Sequence, residues 1–295
     1  MTDDAARRAV LADPEELQRL LAAGREACVL DVRWALGRTD GAAQHRAGHV
    51  PGAVYVDLDT ELAAPATTRD GRHPLPAVVD LQAAARRWGV RAGVPVVAYD
   101  AVGGMSAARA WWLLRWCGVA DVRILDGGLD AWVAAGGALE IGDVAPEPGD
   151  VVLSPGRLEV LGPDGVAALA VEVQPHGLSL ASRGPVLLDA RAGERFRGEV
   201  EPVDPRAGHI PGATSAPTAG NLDGSGRFLD PEHLRARFAR LGAVPGARVA
   251  VYCGSGVTAA HEVAALASVG VEAALYAGSW SQWSADPGRP VATGA

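Results

Sequence analysis

The sequence predicts an α/β protein built as two tandem domains, each a mainly parallel central sheet flanked by helices. Three observations lead there: a length of 295 residues, an internal repeat, and short apolar runs that alternate with amphipathic segments. At ~100–200 residues per domain, this length fits two domains or one large one. The repeat decides for two. VLDVRW from Val29 and AGHVPGAVYVDLD from Ala47 return as LLDARAG from Leu187 and AGHIPGATSAP from Ala207. VPVVAYD ending at Asp100 returns as ARVAVYC ending at Cys253, and DGGLDAW ending at Trp132 returns as AGSWSQW ending at Trp283. The landmarks keep their order, with His209 standing 160 residues after His49, an offset too long for a solenoid unit and suited to a duplicated domain. The domains are assigned to residues 1–142 and 157–295. The stretch 143–156, rich in Pro, Gly and acids, reads as an extended linker between them.

In the first half, Asp13 to Ala23 reads as a helix, because an Asp-Pro start precedes an apolar stripe at helical spacing. Val29 to Val32, Val94 to Tyr99 and Val122 to Leu125 are short, β-branched and apolar on both faces, as buried strands are. Asp80 to Trp88 and Ser106 to Trp116 have helical periodicity between them. The second half repeats the scheme. Val186 to Asp189, Arg248 to Tyr252 and Ala273 to Tyr276 are its strands, and Asp230 to Leu241 and Thr258 to Val269 its helices. Strand and helix in alternation imply right-handed crossovers, hence a parallel sheet covered on both faces.

Composition narrows the function. With 48% hydrophobic and 21% charged residues, the chain can bury a core. Its net charge of −8, with no run of Lys and Arg, argues against a nucleic-acid partner, which calls for a basic face. No stretch of ~18 uncharged apolar residues occurs and no signal peptide is evident, so a soluble, cytoplasmic protein without a membrane partner is expected. The three cysteines, Cys28, Cys117 and Cys253, are too few for a disulfide framework and lack the CxxC pairing of a zinc site, so no metal is expected.

One cysteine stands where parallel sheets put chemistry, beyond the carboxyl end of a strand. Cys253 ends RVAVY and opens the turn CGSGVTA, after which a helical segment begins. Gly254 and Gly256 allow backbone conformations closed to other residues, so the amides of Gly254, Ser255, Gly256, Val257 and Thr258 can turn toward one centre. Such a nest at a helix start stabilises a thiolate or an anion attached to it. The alternative, a buried packing cysteine, suits Cys28 and Cys117, which have no such loop. His49 and His209 occur in both halves although the cysteine occurs in one, so a turn-fixing role is expected of them. Asp31 and Asp189 are expected to brace strand ends by the same logic, and the eight tryptophans to serve the core first.

With these motifs in view, the chain resembles the two-domain rhodanese-like sulfurtransferases over nearly its whole length. AGHVPGA and AGHIPGA, LLDAR with RFRG, GSWSQW, and above all YCGSGVTA carry the resemblance. It implies that Cys253 accepts sulfane sulfur as a covalent persulfide and passes it on, with no cofactor. It also implies a supporting first domain, in which Asp100 replaces the nucleophile. The neutral loop, with Gly254 and Ser255 after the cysteine, resembles 3-mercaptopyruvate sulfurtransferases; the thiosulfate enzymes carry basic residues there. The small-molecule donor would then be an α-keto acid whose carboxylate needs a guanidinium fork. By resemblance Arg195 is the first clamp, and Arg191 either helps or is structural. Asp204 occupies the position of the family's second clamp arginine, and Arg206, the nearest substitute, is either that clamp or a surface ion-pair partner. Arg197 reads as solvated. Ser255 matches the family hydroxyl proposed to work with a histidine and an aspartate of the first domain, for which the sequence offers His73 and Asp59. A loop histidine and a turn-bracing acid are the plainer readings of those two. The expected acceptor is a thiol, a thioredoxin-like protein or cyanide. The rivals are a thiosulfate:cyanide sulfurtransferase and a non-catalytic persulfide-sensing module. A cysteine phosphatase is disfavoured because CGSGVTAAH has no arginine to close on phosphate.

Overall fold

A computed structural model describes residues 3–24, 26–172 and 184–295. Its strands are β1 (Leu11–Ala12), β2 (Cys28–Asp31), β3 (Val54–Tyr55), β4 (Val96–Tyr99), β5 (Val122–Leu125), β6 (Val186–Asp189), β7 (Thr214–Ser215), β8 (Val249–Tyr252) and β9 (Ala274–Leu275). They form a five-stranded sheet of order β1-β5-β4-β2-β3 and a four-stranded sheet of order β7-β6-β8-β9, and every pairing is parallel. The long strands fall where the apolar runs predict them, within two residues. The two-residue strands β1, β3 and β7 escape prediction because they are too short to show a period. The helices observed at Pro14–Ala22, Val78–Arg87, Ala107–Trp116, Pro231–Arg240 and Val257–Ala267 likewise match those expected, shifted by one or two residues at their ends.

The repeat is structural down to its braces. In the first sheet Asp31 pairs in register with Tyr99, and in the second Asp189 pairs with Tyr252. Asp31 accepts hydrogen bonds from Tyr99, Arg33 and His45, and the Tyr99 hydroxyl accepts the Val50 amide. Asp189 is gripped by Arg191, and the Tyr252 hydroxyl accepts the Ile210 amide. His49 Nδ1 meets the His45 carbonyl at 2.8 Å, and His209 Nδ1 meets the Phe196 carbonyl at 2.8 Å. These buried groups tie the strand ends to the following turns, as the repetition suggested.

The residues after β4 and β8 are Asp100 and Cys253. The helices that follow, Ala107–Trp116 and Val257–Ala267, pack against each other across the domain boundary. Both are rich in buried alanines (Ala107, Ala108, Ala110; Ala259, Ala260, Ala264), whose small side chains permit close approach, and one hydrophobic cluster runs through both. The carboxyl ends of the two sheets are therefore turned toward a common seam. The segment 143–156 is strapped to the first domain: the Gly149, Val151 and Ser154 amides bond the Arg86, Val90 and Cys117 carbonyls, and Val151 and Leu153 are buried.

Candidate active site

Cys253 lies at the end of β8 and is 1% exposed. Its backbone is pinned from both sides. Its amide donates to Ser279 Oγ at 3.1 Å, and its carbonyl accepts the Trp280 amide at 2.9 Å. Ser279 holds this position with φ of +52°, a conformation that costs a non-glycine residue on the order of 1 kcal/mol, and its hydroxyl donates onward to the Tyr276 carbonyl. The loop then turns at Gly256, with φ of +80°, where an added Cβ would stand 2.3 Å from the Ala277 carbonyl oxygen. No other residue fits, and the turn aims the Gly256 N–H at Cys253 Sγ, 3.1 Å away. Gly254 differs from the expectation. It has no left-handed φ; what it supplies is space, because a Cβ there would meet guanidinium nitrogens of Arg72 at 2.9 Å and of Arg195 at 3.5 Å.

Cys253, Gly254, Ser255, Val257 and Thr258 line a cavity of about 460 Å³ together with Arg72, Arg191 and Arg195. The other two cysteines are in different surroundings. Burial pushes the Cys28 thiol up to about 12 and the Cys117 thiol to about 11, so both stay protonated packing groups.

The first domain reaches this loop with a hydrogen-bonded chain. His73 Nδ1 is 2.7 Å from Ser255 Oγ, and His73 Nε2 is 3.1 Å from Asp59 Oδ1. The carboxylate fixes the tautomer: Nε2–H donates to Asp59, which leaves Nδ1 to accept from the Ser255 hydroxyl. Burial lowers the His73 pKa, the Arg109 charge lowers it further, and Asp59 opposes both. The imidazole is therefore neutral at pH 7 and able to take a proton. Trp34 donates from Nε1 to Asp59 at 3.0 Å and meets the His73 ring edge-on, fixing the acid and the base together.

Arg191 and Arg206, each read from the sequence as either a clamp or a structural group, have their guanidiniums engaged by protein partners. The Arg191 guanidinium is bound to Asp189 at 2.7 Å, to the Gly208 carbonyl at 2.6 Å and to Glu201 at 3.3 Å, and it lies over the Trp280 ring. Its counterpart in the first half, Arg33, binds Asp31 and the Gly48 carbonyl in the same way, so the arrangement belongs to the fold. Arg206 donates to the backbone carbonyls of Ser284, Arg289, Trp283 and Asp286, and so fastens the C-terminal segment away from the cavity. Arg197 pairs with Glu199 at the surface. Arg195 does face the cavity, with Nη2 on Glu201 at 2.6 Å and on Asp204 at 3.1 Å.

Two arginines of the first domain were missed. Arg72, next to His73, enters the cavity and pairs with Asp204. Arg109, inside the Ala107–Trp116 helix, is fully buried and donates to the carbonyls of Leu62, His73, Pro74 and Gly256. It ties the relay loop to the cysteine loop. Burial pushes its pKa down to about 10, and a negative charge on Cys253 offsets that penalty. A lone arginine in an apolar helix face is the only sequence sign of it.

Among the described residues no group of three or more His, Cys, Asp or Glu could hold a metal, and no helix is long and apolar enough to cross a membrane.

Comparison with known proteins identifies the family. The family profile described as the rhodanese-like domain matches twice, at residues 13–135 and 178–286. A Mycobacterium tuberculosis protein named putative thiosulfate sulfurtransferase SseB is 49% identical over 98% of this chain and 99% of its own length. A Pseudomonas aeruginosa protein named probable 3-mercaptopyruvate sulfurtransferase is 48% identical over 90% of this chain and 92% of its own. Among solved structures, the 3-mercaptopyruvate sulfurtransferase SseA from Escherichia coli superposes with a TM-score of 0.77 and 32% identity, covering 92% of this chain and 98% of that one.

Proposed function

The chain belongs to the rhodanese-like sulfurtransferases, and on that premise we propose that it moves sulfane sulfur from 3-mercaptopyruvate through a Cys253 persulfide to a thiol acceptor. The observation that carries the reading is the meeting, at one cavity, of Cys253 in its amide loop, Arg195, and the Ser255–His73–Asp59 relay. The Cys253 thiolate attacks the sulfur of the donor. The S–S bond forms, the donor's C–S bond breaks, and its electron pair leaves on carbon as pyruvate enolate. Ser255 takes the donor's thiol proton as its own passes to His73, and the proton returns to the enolate to give pyruvate. The amides of Gly254 to Thr258 receive the outer sulfur of the persulfide. An acceptor thiolate, small or on a thioredoxin-like protein, then attacks that sulfur and releases Cys253 as thiolate. Cyanide in its place gives thiocyanate. Electrons and protons balance within this cycle, so it calls for no metal or diffusible cofactor. Three unpaired cysteines suit the reducing cytoplasm.

Thiosulfate is the rival donor, favoured by the name of the 49% identical relative. Steady-state kinetics with both donors tests the choice: kcat/KM is expected to be higher for 3-mercaptopyruvate, and the reverse order overturns the donor assignment. Mass spectrometry after donor treatment should show one added sulfur on Cys253. An unmodified cysteine returns the chain to the sensing-module reading.

A further inference from the structure

The cavity beside Cys253 is lined by a guanidinium that the catalytic domain does not own. The loop carrying Arg72 is docked on the second domain at three points. The Arg72 amide donates to Ser281 Oγ at 3.1 Å, and Gln282 Nε2 donates to the Arg69 carbonyl at 2.8 Å. Gly71, with φ of +91°, lies so close to Gly278 and Ser281 that a Cβ would stand 2.7 Å from the Ser281 hydroxyl. These anchors fix the loop whatever side chain follows Gly71, and they send the Arg72 side chain over the residue after the nucleophile.

There it meets Arg195. Asp204, whose side chain is 3% exposed, accepts from both, through Arg72 Nη1 and Arg195 Nη2. The opposite edges of the two guanidiniums converge: Arg72 Nη2 and Arg195 Nη1 both border the space a Gly254 side chain would fill. The Nε of each is buried and has no hydrogen-bond partner among the described residues. Two forks held a fixed distance apart, with donors directed at one spot beside Cys253, suit a single carboxylate. The charges suit it as well. Arg72 and Arg195 are matched by Asp204 and Glu201, so the four groups sum to zero before a donor arrives. One further negative charge is tolerated in such a site better than two.

We propose that Arg72 of the first domain is a donor-recognition residue that grips the donor carboxylate together with Arg195, and that Asp204 positions the two forks and selects a singly charged carboxylate over a dianion. This rests on the donor reading above and goes beyond it in assigning recognition to the domain that lacks the cysteine. It also accounts for an acid at the position where an arginine was expected: the second fork comes from elsewhere in space, and the acid orients it.

The test is steady-state kinetics of the full chain with 3-mercaptopyruvate and with thiosulfate, for wild type, Arg72→Ala, Arg72→Lys, Asp204→Asn and Arg195→Ala. Arg72→Ala should raise KM for 3-mercaptopyruvate about tenfold or more while kcat changes less than about threefold, as expected for loss of a charge-assisted pair. Arg72→Lys should recover part of the loss. Asp204→Asn should raise the ratio of kcat/KM for thiosulfate to that for 3-mercaptopyruvate about tenfold, a shift in preference that a structural role would not produce. A folded Arg72→Ala variant with KM within twofold of wild type, alongside a raised KM for Arg195→Ala, overturns the proposal and leaves the donor reading standing. A wild type that does not turn over 3-mercaptopyruvate overturns both. If Arg72→Ala does not fold, Arg72→Lys and Asp204→Asn decide, and an unchanged donor ratio in the latter defeats the charge argument.

Discussion

The loop after β4 and the loop after β8 are copies of one device with different contents. In the first domain the Asp100 carboxylate fills the loop, accepting the amides of Val102 and Gly104 at 2.8 Å each, Ser106 at 2.7 Å and Ala107 at 2.9 Å. In the second, Cys253 Sγ accepts the Gly256 amide at 3.1 Å and faces an open cavity. Burial raises the Asp100 pKa, and those four amides work against it. The carboxylate takes up four loop amides, whereas the Cys253 sulfur takes up one, and in the proposed cycle the others receive a second sulfur atom. The difference shows how a duplicated fold comes to hold two different loops through the occupant of a single position, and under the proposed function it divides a supporting half from a reacting one.

Exchanging or removing these occupants should separate the two halves most sharply. Cys253→Ser is expected to abolish sulfur transfer, a loss of more than ~10³-fold in kcat, and to eliminate the added sulfur seen by mass spectrometry; residual persulfide on Cys28 or Cys117 would contradict the division. His73→Ala comes next, with kcat reduced on the order of 10²-fold and KM little changed, because in the proposed cycle the relay moves a proton and does not bind the donor carboxylate. Asp100→Ala should leave kcat per folded molecule nearly intact and lower stability by about 4 kcal/mol, read from urea unfolding, since the buried amides lose their acceptor. A large fall in kcat with stability intact would mean that the first loop takes part in chemistry.

Smaller effects test the duplicated braces and the relay's fine setting. Arg33→Ala and Arg191→Ala should each destabilise the chain by about 3 kcal/mol, the cost of leaving Asp31 or Asp189 buried without its partner. Equal losses in the two halves are the expected result; a donor KM effect peculiar to Arg191 would return it to the binding site. The smallest effect concerns pH. Burial first, then Arg109, lowers the His73 pKa, so the acid limb of kcat/KM should lie below the ordinary imidazole value of ~6.5. Asp59 raises that pKa, so Asp59→Asn should move the limb to still lower pH. A limb that moves upward would show that His73 is not the group titrating.

Much of the site was legible because duplication supplies its own control. His49 with His209, and Asp31 with Asp189, could be set aside as structural since both halves carry them, and Cys253 stood out by its place between a strand end and a glycine turn that opens a helix. The same comparison would have dismissed Arg191 had Arg33 been set beside it, for VLDVR and LLDAR align residue by residue. The sequence left Arg206 open between a clamp and a surface ion pair, because distance along the chain does not give position in space: its guanidinium, two residues beyond Asp204, turns to the C-terminal carbonyls.

The sequence by itself determined the two α/β domains, the long strands, the candidate cysteine and its glycine turn, all of which are local patterns or repeats of them. The family resemblance offered Ser255, His73, Asp59 and Arg195, and only the tertiary structure showed them meeting and added Arg72 and Arg109. Arg72, Asp59 and His73 come from one domain and Ser255, Arg195 and Asp204 from the other, and they meet because the Ala107–Trp116 and Val257–Ala267 helices pack the two carboxyl ends against one seam. Hydrophobic periodicity reports how each helix faces its own sheet. Which polar groups are brought across a domain boundary depends on packing between surfaces far apart in the chain, and no local period encodes it.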